Sequence, residues 1–405
     1  MAKTIRIPIS NILGGGDYTG QILVGSQQAV ANVILDTGSS TLAVQQTHYK
    51  AVQDKDLKPT VWAQDIEYGT GGWAGPVVNT TVTMGSGANA VTLPNTPIAV
   101  ADEQEANNFS PADGILGLAY NNLNNAYNLQ KFLIEHGVKP PVSYPWPFPV
   151  HDSSSAIDQF AKFLASHPEE NITAYFDLLA KHGITRNKFA FSTHRSVPSA
   201  AKKNPAQDPL NQGVLVLGGG EEEKDLYSGS FLTVQVVDDA WYNTTLKAVQ
   251  VAGGPLVLAN PLPPRYVKSM MSNSIVDSGT NSLVLATDVW TAILKSLETL
   301  NPQFATLALQ ALKSDTGVPS ANVKLKSWPG ISFILAGEKG EDVTLTCSPS
   351  TYWQVDAPSA GRAMFQLGPG GQVQSILGLP LMNNYFTVFD RSLDRKGVIR
   401  FATIK

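Results

Sequence analysis

One cysteine, Cys347, is all that 405 residues contain. An intrachain disulfide is therefore excluded, as is any metal site built from several thiolates. In the run Val343-Thr-Leu-Thr-Cys347 that thiol reads as a small buried hydrophobe. Charge is scarce as well: Asp, Glu, Lys and Arg make up 15% of the chain, with a formal net charge of -4. Such a balance predicts no nucleic-acid partner and no attraction to anionic membrane. Local charge runs such as Glu221-Glu-Glu-Lys224 are expected to be solvated loops. No stretch of 18 apolar residues offers a membrane-spanning helix, and Met1-Ala-Lys-Thr-Ile-Arg-Ile-Pro8 lacks the apolar core of a signal peptide. These absences point to a reducing, cytoplasmic setting; a periplasmic or secreted one would follow if a leader had been removed.

Cofactor motifs are equally sparse. The six histidines are scattered, without an HExxH pair, so no metal is expected. Gly69-Thr-Gly-Gly-Trp-Ala-Gly75 and Gly218-Gly-Gly220 lack the strand–GxGxxG–helix setting and the P-loop lysine, so no nucleotide cofactor is expected either.

Apolar residues and turn punctuation are what the chain has in quantity. The apolar fraction is 43%, and the length favours two or more domains. Short β-rich runs at 20–24, 30–35, 77–84, 214–217, 231–237 and 385–390 lie between Gly, Pro, Asn and Asp. They predict a mainly β, antiparallel architecture. Helical patterns are few, at 156–166, 173–182, 288–297 and 302–312; in the first, Ile157, Phe160, Phe163 and Leu164 form a core-packing stripe.

The most informative feature is a phrase that occurs twice. Val33-Ile-Leu-Asp36-Thr-Gly-Ser-Ser40 and Ser274-Ile-Val-Asp277-Ser-Gly-Thr-Asn281 place matching aspartates 241 positions apart. Apolar β-formers lead each Asp to the end of a buried strand. Gly38 and Gly279 permit a tight turn and close approach of a substrate backbone. The hydroxyls of Thr37, Ser39, Ser278 and Thr280 can hold the carboxylates by hydrogen bonds. One such phrase is an ordinary surface turn; two matched copies suit chemistry that needs a carboxylate pair. Two Asp side chains roughly 3 Å apart cannot both ionise, so one serves as base and the other as acid.

A second echo follows. Asp113-Gly-Ile-Leu-Gly117 ends 81 positions after Asp36, and Ser375-Ile-Leu-Gly378 ends 101 positions after Asp277. One unit per half predicts two homologous lobes, expected over residues 1–188 and 189–405, with the binding cleft between them.

On these residues the chain resembles the pepsin-like aspartic proteases over nearly its whole length. Tyr68-Gly-Thr-Gly71 is similar to the tip of that family's flap, and Ile376-Leu-Gly through Tyr385-Phe-Thr-Val-Phe-Asp390-Arg to its C-terminal lobe. The resemblance implies a bilobal antiparallel β fold with a six-stranded sheet beneath the cleft. It implies that Asp36 and Asp277 activate a water that attacks the scissile carbonyl, without a covalent intermediate. Thr37 and Ser278 would lock the two loops together, and Ser39 and Thr280 would support the carboxylates. Backbone groups of Gly38, Gly69, Thr70 and Gly279 would bind an extended polypeptide strand-fashion. Ile34, Tyr68 and Ile115 would line an apolar cleft, with Trp73 and Trp241 as weaker candidates. The implied partners are polypeptide substrates with hydrophobic residues at the cut, and pepstatin-type inhibitors, bound by a monomer. Pepsin's own pair titrates in acid, one member well below the usual carboxylate range and the other at about 4.7, which implies an activity maximum near pH 4.

Departures from the family pattern are informative. Trp is usual seven residues after the first aspartate and here is Ala43, so Tyr68 would lean instead on Trp62 or Trp73. Only 35 residues precede Asp36, so no prosegment is expected. With the single cysteine, this is most similar to bacterial members. Residues 121–171 form a longer connection, and Pro140-Pro-Val-Ser-Tyr-Pro-Trp-Pro-Phe-Pro149 predicts a rigid extended loop on the first lobe. The alternative function is a non-catalytic, pepsin-like peptide- or protein-binding protein. A glycosidase pair would stand about 5–9.5 Å apart and need no duplication.

Overall fold

The computed structural model describes residues 2–68, 71–101, 103–104, 109, 111–146, 154–393 and 396–405. Two compact units emerge: Thr19–Ile184, and Ala2–Tyr18 together with Thr185–Lys405. The expected boundary at 188/189 kept the whole N-terminus in the first half. Instead the first strand, Ile5–Gly14, bonds to Gln212–Leu217, with Ile5 opposite Leu217 and Ser10 opposite Gln212. A strand settles where its N–H and C=O groups find partners, and local sequence does not name that partner.

In the first unit a ring of six strands forms: Asp17–Val24, Ala29–Asp36, Gly114–Gly117, Leu42–Gln45, Val91–Ala101 and Gly71–Met84. Closure comes from Ile22–Val24 pairing with Val82–Met84, so these strands carry no open edge. The long strand Gly71–Met84 also pairs with Lys58–Tyr68, and its residues 71–76 continue past its pairing with Val91–Ala101. The connection over 121–171 is not a bare loop. It holds helices Gln130–Glu135, which sequence patterning missed, and Ser154–Leu164. Leu164, Phe160 and Phe163 of the second helix pack with Ala63, Leu129 and Leu133, as the stripe predicted. Trp146, from the proline-rich segment, joins this cluster. Ser143 ties the same segment down, its N–H donating to Thr60 C=O (2.8 Å) and its hydroxyl to Trp62 C=O (2.6 Å).

In the second unit six consecutive antiparallel strands run Ile5–Gly14, Gln212–Leu217, Lys188–Ser192, Tyr385–Asp390, Val398–Ile404 and Tyr227–Gln235. Alternation sorts their side chains: Ala190, Val216, Phe386, Val388 and Ala402 share one face, and Phe189, Phe191 and Phe389 stack on the other. The strand expected over 231–237 begins at Tyr227 and stops at Gln235, with a bulge between Ser228 and Leu232. A five-stranded sheet of Asn243–Thr244, Ser274–Val276, Ser375–Leu377, Leu283–Leu285 and Leu367–Pro369 carries the second aspartate. Helices Thr287–Leu300 and Pro302–Leu312 are separated by Asn301, whose side chain caps the second by accepting from Gln303 N–H. Cys347 is buried, as the alternation in Asp342–Cys347 dictates.

The acidic run at 221–223 lies in a loop, as expected, but Glu223 is buried and each carboxylate is ion-paired. Glu221 pairs with Lys188 (2.9 Å) and Arg400 (2.8 Å), Glu222 with Arg186, and Glu223 with Arg6. Asp390 joins Lys188 (3.3 Å) and Arg400 (2.5 Å). The cations come from three distant stretches of chain, beyond what charge patterning in a local window can detect. Among the described residues no helix is long and apolar enough to cross a membrane.

Candidate active site

The strand Ala29–Asp36 buries Ala31, Val33 and Leu35 and delivers Asp36 to its end. It runs parallel to Gly114–Gly117, with Ile34 opposite Ile115 and Asp36 opposite Gly117. Asp36 is 6% exposed. One carboxylate oxygen accepts from Gly38 N–H at 2.7 Å, the other from Ser39 Oγ–H at 2.5 Å. Leu118 N–H donates to Asp36 C=O (2.6 Å) and Ala119 N–H to Ser39 C=O (2.7 Å), so the Ile-Leu-Gly segment braces the loop from behind.

The second unit repeats this construction. Ser274–Val276 runs parallel to Ser375–Leu377, and Asp277 N–H donates to Leu377 C=O at 3.2 Å. Asp277 is 7% exposed; its oxygens accept from Gly279 N–H (2.9 Å) and Thr280 Oγ1–H (2.6 Å). Leu379 N–H donates to Thr280 C=O at 2.9 Å. Each carboxylate is thus held by donors two and three residues downstream, which fixes its plane. The two crossing glycines are required by contact. A Cβ on Gly117 would lie 2.4 Å from Ser40 Cα, and one on Gly378 would lie 2.3 Å from Thr280 O.

The other expected site residues fall out unevenly. Thr37 and Ser278 are buried, while Gly38, Gly279 and Thr280 are partly open. Ile34 is partly buried beside Ile115. Tyr68 ends its strand opposite Gly71 by its backbone; Gly69 and Thr70 lie outside the described residues. Trp241 is half-buried, and its neighbour Tyr242 accepts through C=O from Val276 N–H (3.1 Å), next to Asp277. Trp73 is a correction: with 0% exposure it has no surface to offer a substrate. It packs instead with Ala43, Ala99, Ala101, Phe109 and Ile115. Trp62 is engaged elsewhere, donating to Glu170 at 2.7 Å and packing on Val77, Ala126 and Ile172.

Sequence reasoning missed a buried amide network behind the first loop. Thr41 Oγ1–H donates to Asn124 Oδ1 (2.9 Å), which also accepts from Gln64 Nε2–H (3.0 Å); Gln64 donates again to Asn125 C=O (2.8 Å). The Asp36 loop, the hairpin and the connection after it are joined there. Nothing in the spacing of Thr41, Gln64 and Asn124 announces it.

The eukaryotic aspartyl protease model matches residues 17–138 and 164–403. The chain belongs to that family. The unmatched stretch between those ranges, 139–163, contains the whole proline-rich segment. Among relatives, pepsin-2B of Gadus morhua is 23% identical over 398 residues, covering 94% of this chain and 95% of that protein. Cathepsin D of Homo sapiens is 25% identical over 430 residues, covering 98% and 84%. Chymosin of Camelus dromedarius is 24% identical over 413 residues, covering 99% and 84%. A pepsin-like, mainly β protein is therefore established.

Proposed function

We propose that the chain is an acid-acting endopeptidase that hydrolyses peptide bonds between hydrophobic residues through a water activated by Asp36 and Asp277. The observation that carries this reading is the repeated clamp: in both loops a Gly N–H and a hydroxyl hold the carboxylate at 2.5–2.9 Å. A binding protein without catalysis would have no need to keep both aspartates and both donors. In the reaction, the ionised carboxylate takes a proton from water as it attacks the carbonyl carbon, and the protonated one donates to the carbonyl oxygen. The tetrahedral diol then collapses as a proton passes to the leaving nitrogen. Thr37 and Ser278 lock the loops; backbone groups around Gly38, Gly279 and the hairpin tip bind the peptide as an added strand. A cytoplasmic setting and affinity with bacterial members belong to the same proposal and are supported by the single cysteine alone.

The test is cleavage of an acid-denatured protein by the purified chain, with sequencing of the cut sites and a pH–rate profile. Activity should peak near pH 4, vanish with a pepstatin-type inhibitor and be indifferent to EDTA. Tight inhibitor binding with no cleavage at any pH would establish the non-catalytic alternative.

A further inference from the structure

We propose that Trp73 is a positioning residue: it docks the flap hairpin against the base of the Asp36 loop and so governs how tightly peptide is held. This deepens the proteolytic reading and rests on it. Trp73 is the third residue of the returning hairpin strand Gly71–Met84, with its backbone opposite Ile66. Although it belongs to this hairpin, its side chain is among the largest fully buried ones.

The socket explains how that is possible. Ala43, Ala99 and Ala101 give it three methyl-sized walls, and Ala43 is in register with both Ala99 and Ile115 on its two flanking strands. Large side chains opposite small ones are how neighbouring elements interlock. Phe109 closes the socket, its ring centroid 6.4 Å from that of Trp73. Ile34 and Ile115 complete the cluster; Ile34 stands two residues before Asp36, and Ile115 two before Gly117 of the segment that braces the Asp36 loop. The hairpin cannot tilt without dragging an indole through a close-packed wall that continues into the aspartate strand. The strand that pairs with this one ends at Tyr68, five positions before Trp73, so the seating of the indole sets how the hairpin meets a peptide.

A tether and a simple space-filler differ in what repairs them. The experiment compares the unaltered chain with Trp73→Ala, with Trp73→Ala combined with Ala43→Leu, which refills the socket from the core side, and with Val82→Ala. Val82 is buried on the same strand, away from the socket. Thermal unfolding gives Tm, and cleavage of an apolar peptide at pH 4 gives kcat and KM. Trp73→Ala should raise KM between about 10- and 100-fold. The double variant should keep that high KM even where Tm recovers, and Val82→Ala should lower Tm with KM unchanged. If Trp73→Ala does not fold, Trp73→Phe is measured in the same way and should raise KM by a smaller factor. An unchanged KM, a KM that recovers when the socket is refilled, or an equal rise in Val82→Ala would overturn the proposal. A chain that binds but never cleaves would overturn the proteolytic reading, and this proposal with it.

Discussion

A methyl group on Gly117 would sit 2.4 Å from Ser40 Cα and N and 2.5 Å from Ser39 C, all backbone atoms. Ordinary carbon contacts begin near 3.4 Å, so the Ser39–Ser40 backbone would have to retreat by about 1 Å. Ser39 Oγ stands 2.5 Å from Asp36, and the same displacement would stretch that bond towards about 3.5 Å, where it ceases to be one. Overpacking of this kind destabilises by about 1–3 kcal/mol. The loss of activity should be larger than the loss of stability suggests, about 100-fold in kcat/KM, because a 1 Å error at reacting groups has that effect. Gly371→Ala is the control. Nothing lies within 4 Å of its Cβ position, but φ is +64°, so it suffers only backbone strain of about 1–2 kcal/mol. Urea unfolding and peptide cleavage of both variants separate the effects: similar losses of stability, with activity lost in Gly117→Ala alone. A Gly117→Ala enzyme within twofold of the unaltered chain would show that the crossing segment does not hold the aspartate loop.

Three further expectations concern the fold around the site. Ala43→Trp should destabilise by about 1–3 kcal/mol rather than improve catalysis, since Trp73 already fills the adjoining space; a rise in kcat/KM without loss of Tm would contradict this. Stability should fall steeply below pH 4. Burial disfavours charge on Asp54, but hydrogen bonds from Ser26 N–H, Thr80, Tyr49 and Asp56 N–H prevail and hold it at about 2. Asp390 is likewise held at about 2, burial being outweighed by Ser392, Arg400 and Lys188. Both folded values lie below the unfolded one, so their contribution is present above pH 4 and lost between about pH 4 and 2. With 9% and 2% exposure, each is worth about 2 kcal/mol. Asp65 acts with the opposite sign: burial, then Glu67 and Glu169, push it up to about 6. Its charge therefore burdens the fold above pH 6 and is relieved as pH falls towards 4. Tm should pass through a maximum near pH 4–5, and Asp65→Asn should flatten the rise between pH 6 and 4; a Tm that climbs steadily to pH 7 would refute the assignment.

Features repeated in the chain were legible, and features assembled from afar were not. Asp36, Asp277 and the two Ile-Leu-Gly segments could be found because each copy vouches for the other and their geometry is local, with donors only two and three residues downstream. The helix Pro302–Leu312 has the bounds its sequence pattern predicted. By contrast, the partners of Glu221, Glu222 and Glu223 lie between 33 and 218 positions away, so no local window of sequence shows that this loop is ion-paired. The first strand joined the second unit through bonds to residues 212–217, and a backbone carries no mark of its partner. Trp73 was taken for a cleft residue because flap sequence suggests exposure; three distant alanines decide otherwise.

The central claim is that two carboxylates, one from each half, share one reaction. The direct measurement is kcat/KM for an apolar peptide at pH 4 with the unaltered chain, Asp36→Asn and Asp277→Asn, alongside Tm for each. Either substitution should remove at least about 1000-fold of the activity, because each removes one of two roles that act as a unit. Retention of most activity by either folded variant would contradict the account.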